Sequence, residues 1–297
     1  MRGRWLAAGA LVVATGCGEV SGAPTVEPLD AASDEPVRRP TAVPGAEGRV
    51  VTSTPVVVTD DGSGAHLCFS NATFGGGVPD PLLCDDVALA GWDWDRHGGA
   101  PAADRGVRAG TYELVGTFDG ATFTVEEASP PDPSPDDWDF EIPCPTPTGG
   151  WRVPDPNRVT QDDYLRASAL AQELDGFAMA AVSTPDGSPG PRDPANTVLS
   201  VYVAGDPAAA EAAVREVWGG MLCVTGVERS AEELEEIQMR LVRLDLPGVT
   251  EVGGNLDNEM ELAVFHDDGS IQRWADREFG DGVVVVESNL QPASAPR

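Results

Sequence analysis

The residues of this chain best equipped for chemistry are three histidines, five cysteines and a short alternation of tryptophan with aspartate. The stretch Asp60-Asp61-Gly62-Ser63-Gly64-Ala65-His66 carries acid, hydroxyl and imidazole together, the residue types of a nucleophilic relay. Such a relay is assembled by folding and not by adjacency. A serine between glycines ordinarily serves a turn, and no G-x-S-x-G elbow occurs. Trp92-Asp93-Trp94-Asp95, followed by His97, places two carboxylates beside two indoles, the types used where sugar rings are stacked and cleaved. On a strand this alternation puts both indoles on one side and both carboxylates on the other. A glycosidase needs its two carboxylates facing each other across a cleft, so the alternation reads first as buried indoles and solvated acids. A secreted hydrolase centred on Trp92 to Asp95 is the alternative to a binding role.

Other chemistries find less support. H-E-x-x-H, cysteine pairs at zinc spacing and EF-hand loops are lacking. The acidic run Asp136 to Glu141 could offer oxygen ligands to Ca²⁺ but reads as a solvated linker. Gly75-Gly76-Gly77 lacks the lysine and following helix of a phosphate loop, and no C-x-x-C redox pair occurs. No cofactor and no metal is expected.

The cysteines divide by position. Arg2 and Arg4 precede the uncharged run Trp5 to Thr15, which ends in Ala14-Thr15-Gly16-Cys17. Eleven residues reach about 16 Å as a helix, roughly half the hydrocarbon core, so the run reads as an export signal and not as a spanning anchor. Its end resembles the lipobox of bacterial lipoproteins of the actinobacterial, secreted type, with Ala14 where leucine is commoner in that family. The resemblance implies a signal peptide over 1–17, lipidation of Cys17 as the mature N-terminus, and residence on the outer face of the cytoplasmic membrane. One acyl chain such as palmitate binds a bilayer only marginally; the family supplies a diacylglycerol unit. The alternative is an ordinary signal peptide with an incidental Cys17. Cys68, Cys84, Cys144 and Cys223 remain. In an exported chain four cysteines favour two disulfides, with three pairings open. Their placement in two segments favours Cys68–Cys84 and Cys144–Cys223.

The formal net charge is −30 and all 19 basic residues are arginine. Such a chain repels phosphate backbones and anionic bilayer surfaces. The expected partners are the membrane through a lipid anchor and a protein or cell-wall ligand, with no nucleic acid.

The elements that must position these residues fall into two groups. Residues 18–48, rich in proline and acid, read as a disordered tether. Residues 49–127 read as short strands, with the clearest hairpin where TYELVGTF and ATFTVEE flank a two-residue connection at Asp119-Gly120. In strand count and spacing this part resembles the small OB-like barrels of actinobacterial secreted proteins, which implies an all-β small barrel. Residues 128–150 form a Pro/Asp-rich linker and 292–297 a tail. Over 151–291, helix starts at Thr160 with Asp163, Asp206-Pro207, and Ser230 with Glu233 alternate with apolar runs at 177–183, 198–203, 222–227, 249–253, 260–265 and 283–288. The order αββαβαββαβ predicts an α+β sandwich with helices on one face of a mostly antiparallel sheet. Residues 231–265, AEELEEIQMRLVRLDLPGVTEVGGNLDNEMELAVF, resemble the pro-domains of streptogrisin-type serine proteases. That family's pro-domain is a chaperone and inhibitor of the attached protease. No protease follows in this sequence, so the resemblance implies at most a module acting in trans. The reading as a whole is a non-catalytic cell-envelope lipoprotein presenting two small disulfide-stapled domains.

Overall fold

The computed structural model describes residues 38–69, 87–97, 102–104, 106–131, 142–185 and 193–293. The leader with Cys17, Gly75 to Gly77, Cys84 and the acidic run Asp136 to Glu141 lie outside the described residues.

The first half contains strands β1 (Val50–Thr52), β2 (Val56–Asp60), β3 (Ala65–Cys68), β4 (Val87–Ala90), β5 (Ala102–Asp104), β6 (Val107–Phe118) and β7 (Thr122–Ser129), with one helical turn, α1 (Trp94–His97), after β4. β1 and β2 are one line of chain broken around Pro55, which has no amide to donate. Both lie along the same edge of β6, β1 at Val115 and Gly116, β2 at Arg108 to Tyr112. At the break the Thr52 hydroxyl accepts the Leu114 amide, 3.1 Å. Pairing runs β2-β3-β4-β7-β6 and returns to β2, which closes a five-stranded barrel. β4 and β7 are parallel and the other pairs antiparallel. Closure satisfies strand edges that would otherwise be open. Alternate residues of β6, namely Tyr112, Leu114 and Phe118, point into a core with Val56, Val58, Leu67, Leu89, Phe123 and Val125. The β6–β7 connection is one residue later than the sequence predicts. Asp119 still pairs with Thr122, amide to carbonyl at 3.3 Å, and the two central residues are Gly120 and Ala121. Gly120, at φ +100°, takes the first central position, the place of glycine in a type II′ turn. The Asp119 carboxylate accepts the amides of Ala121 and Thr122 at 2.9 and 2.8 Å.

The second half runs α2 (Gln161–Gln172), β8 (Phe177–Ser183), β9 (Val198–Val203), α3 (Pro207–Arg215), β10 (Met221–Gly226), α4 (Ala231–Leu244), β11 (Val249–Gly254), β12 (Met260–Val264), α5 (Ser270–Phe279) and β13 (Val284–Ser288). The expected single, mostly antiparallel sheet is not what forms. There are two three-stranded sheets, β8-β9-β10 and β11-β12-β13, each with one antiparallel and one parallel pair. The reason is that α3 and α5 are crossovers, which return the chain parallel to the strand it left. Element order alone does not distinguish a crossover from a helix that merely caps a hairpin.

The two sheets repeat one arrangement of helix, antiparallel hairpin, crossover helix and parallel strand. Both copies open with a capping box, Thr160 with Asp163 and Ser230 with Glu233. Both enter their first strand through Leu-x-Gly, Leu174-Asp175-Gly176 and Leu246-Pro247-Gly248. The glycines sit at φ +71° and +73°, where an L side chain is strained. The Gly176 carbonyl accepts the Ala204 amide at 2.7 Å and the Gly248 carbonyl accepts the Phe265 amide at 2.8 Å. Each hairpin then shifts register at the same place, between Phe177 and Met179 and between Val249 and Glu251. Leu199, Val201, Val203 and Leu222 face the helices in the first copy; Met260, Leu262, Val264 and Val284 do so in the second.

The two halves meet in one sheet. After β13 the chain forms β14 (Leu290–Pro292), antiparallel to β1, and Leu290, 1% exposed, enters the barrel core. The chain also packs before residue 49. The Ala46 amide donates to the Phe118 carbonyl at 2.9 Å, His266 Nδ1 donates to the Pro44 carbonyl at 3.2 Å, and the Phe69 and Phe265 rings meet at 5.2 Å.

Gly176→Ala and Gly248→Ala should each lower stability by more than about 1 kcal/mol, since a Cβ at the first would fall on the Ala204 carbonyl and at the second on Val43; urea denaturation measures this. Asp163 is held below the ordinary aspartate range by the Thr160 hydroxyl and amide, with Arg166 adding to them. A depressed native pKa stabilises above the unfolded value and is lost as pH falls through the native one. Asp163→Asn should therefore lower the melting temperature at pH 7, with the gap to the parent closing as pH falls below about 4.

Candidate functional site

Trp92 to His97 was the stretch with the most chemical capacity, and the structure builds it differently from a continued strand. β4 stops at Ala90, and Asp93 opens α1. Its carboxylate accepts the Asp95 amide at 2.9 Å, and its carbonyl accepts the amides of Arg96 and His97 at 3.1 and 2.8 Å. An aspartate ahead of a helical turn is an N-cap, and here that role overrides the period of two. Trp92 and Trp94 still meet. Their rings stand edge to face at 5.2 Å, and both contact Tyr112, at 4.8 and 6.4 Å. Trp94 and Tyr112 are buried, 9% and 5% exposed, in the barrel core. Burial pushes the Tyr112 phenol up from its ordinary value, so it stays protonated.

The acids of the Asp60 to His66 turn are spent on structure. Asp60 accepts the Trp94 indole N–H at 2.9 Å with one oxygen and the Gly62 amide at 2.8 Å with the other. Asp61 accepts the Ser63 amide at 2.8 Å, and the Ser63 hydroxyl and amide, with the charge of His66, hold its carboxyl below the usual range. His66 lies opposite Thr59 across β2 and β3. Asp60 is therefore committed to Trp94 and Gly62, and Asp61 is the acid on which Ser63 and the His66 charge act. The His97 ring tilts against Trp92 at 5.3 Å, and its Nδ1 and the Trp92 Nε1 are buried without a hydrogen-bond partner. His97 meets Asp93 through its backbone amide, and among the described residues no carboxylate is hydrogen-bonded to its ring. His266 is buried at the junction of the halves, beside Phe118.

Cys144 and Cys223 form a disulfide with Cα atoms 5.7 Å apart, closing a sequence separation of 79. Cys68 is also disulfide-bonded, and its expected partner Cys84 lies outside the described residues. Around the Cys144 bond, Ile142, Trp151 and Val153 pack with Cys144 over Val198, Met221 and Cys223. The end of the expected linker is thus a strap laid on the sheet face opposite α2 and α3. Sequence reasoning saw only its cysteine; the apolar Ile142, Trp151 and Val153 in a proline-rich stretch were the signal for the rest. Among the described residues, no group of three His, Cys, Asp or Glu side chains is placed to hold a metal ion.

The arrangement supplies a packed aromatic corner, two braced loops and a covalent strap. Trp94→Phe keeps most of the ring volume but leaves the Asp60 oxygen without its donor. It should cost about 1–2 kcal/mol in urea denaturation. No family model matches the chain, and no curated protein or solved structure matches it either.

Proposed function

We propose that this chain is a non-catalytic cell-envelope lipoprotein. An acyl anchor on Cys17 holds it at the outer face of the cytoplasmic membrane, and two disulfide-stapled units present surfaces to a protein or wall ligand. The observation that carries this reading is the burial of Trp94 and Tyr112 in the barrel core. A hydrolase at Trp92 to Asp95 would need His97 oriented by Asp93 or Asp95 beside an open cleft. Instead Asp93 caps α1, and the indoles fill the barrel corner.

The order β2-β3-β4-β7-β6, with β4 and β7 parallel and a helical turn between β4 and β6, supports the finer reading of an OB-like barrel. Such barrels bind oligomers over one sheet face and at the loops joining the first two and the last two strands. Those loops here hold Asp61 and Asp119, which suits a ligand other than nucleic acid.

Cys17→Ala should be secreted into the medium without lipid label while wild type stays with the membrane fraction. A Cys17→Ala protein that still sediments with membranes overturns the lipoprotein reading.

A further inference from the structure

The sheet β11-β12-β13 has one face under α4 and α5, filled by Met260, Leu262, Val264 and Val284. Register fixes what stands on the other. Gly253, Glu261 and Val285 form one row across the three strands, and Glu251, Ala263 and Glu287 form the next. The carboxylates therefore lie on diagonals, within reach of one another. Glu251 and Glu287 are exposed, and Glu261 and Val285 are half-buried. No arginine among the described residues forms an ion pair with any of the three glutamates. Burial and the neighbouring charges of Glu287 and Glu251 push the Glu261 carboxyl up from its ordinary value, so among the described residues the negative potential of this face is uncompensated.

Gly253 adds an independent observation. Its φ is ordinary, and a Cβ built on it would meet nothing within 4 Å among the described residues. Neither backbone conformation nor packing within the fold requires glycine there. Glycine inside a strand often marks the close approach of another backbone. The repeat shows what such a face can take. On the first sheet the corresponding face, where Cys223 holds the place of Val285, is covered by the strap from Ile142 to Val153, a non-sheet segment with a turn at Pro147 to Gly150.

We infer that the face bearing Glu251, Gly253, Glu261 and Glu287 docks an extended, arginine- or lysine-bearing segment of a partner protein. The segment's backbone passes over Gly253 and its cations reach the three carboxylates. A second copy of this chain is a poor occupant, because it carries the same net charge of −30 and no lysine. The inference rests on the reading of this body as a binding unit and names the chemistry of its partner.

The test uses the released Cys17→Ala protein and a labelled nonapeptide of alternating arginine and serine, followed by fluorescence anisotropy. A glutamate–serine peptide is the control. Glu251→Gln/Glu261→Gln should weaken binding at least tenfold, whereas Glu235→Gln/Glu236→Gln, the same charge change on the exposed side of α4, should alter it less than twofold. Gly253→Leu keeps every charge and has open space to fill; it should weaken binding at least fivefold with an unchanged melting temperature. Equal losses in the two double variants, full binding by Gly253→Leu, or no binding at all overturn the inference. Those outcomes leave the membrane attachment of wild type untouched, so they are separable from failure of the lipoprotein reading.

Discussion

The pairing of β14 with β1 is the contact on which the rest of the architecture depends. Three residues at the end of the second half cross into the sheet of the first, and Leu290 is buried among barrel side chains. Burying one leucine contributes about 1.5–3 kcal/mol. Its structural effect is larger than that figure, because the side chain belongs to one half by sequence and to the other by packing. The Phe69–Phe265 contact and the bond from His266 to Pro44 gather at the same junction. Barrel and repeat thus share a seam made of aromatic rings, one imidazole and a strand pair.

Within the second half, one backbone device is used twice. A left-handed glycine after a helix turns the chain into a strand, and its carbonyl accepts the amide at the far end of the hairpin. The residues around it differ freely, aspartate in one copy and proline in the other between leucine and glycine. Much of the element plan was nonetheless legible in the sequence. Thr160 with Asp163, Ser230 with Glu233 and Asp206 with Pro207 mark helix starts by local hydrogen bonding, which needs no knowledge of the fold. The repetition was not legible, because it lives in backbone roles and register shifts and leaves little common side-chain pattern. Crossovers were hidden for a similar reason: strand direction is decided by tertiary packing.

The site residues divide the same way. Cysteine placement at Cys144 and Cys223 carried its own meaning: the pairing favoured from their shared segment is the disulfide that forms. At Trp92 to Asp95 the packed indoles and the solvated acids are as the sequence reads, but the backbone is not a strand, because two local rules compete there. Alternation argues for a strand, and an aspartate ahead of a turn argues for a cap; with four residues the cap's hydrogen bonds to the Asp95, Arg96 and His97 amides prevail. The glycine at position 253 gave no signal at all in the sequence. Its interest appears only when the space above it is seen to hold no described residue.

Val50 stands opposite Pro292 in the first sheet. Neighbouring strands lie about 5 Å apart, so the first and last strands of the body lie side by side, but the chain reaches β1 only after residues 38–48 have packed on the barrel and on the second half. A load applied at both ends would therefore have to strip that segment, with the Ala46–Phe118 and His266–Pro44 bonds, before it could part β1 from β14.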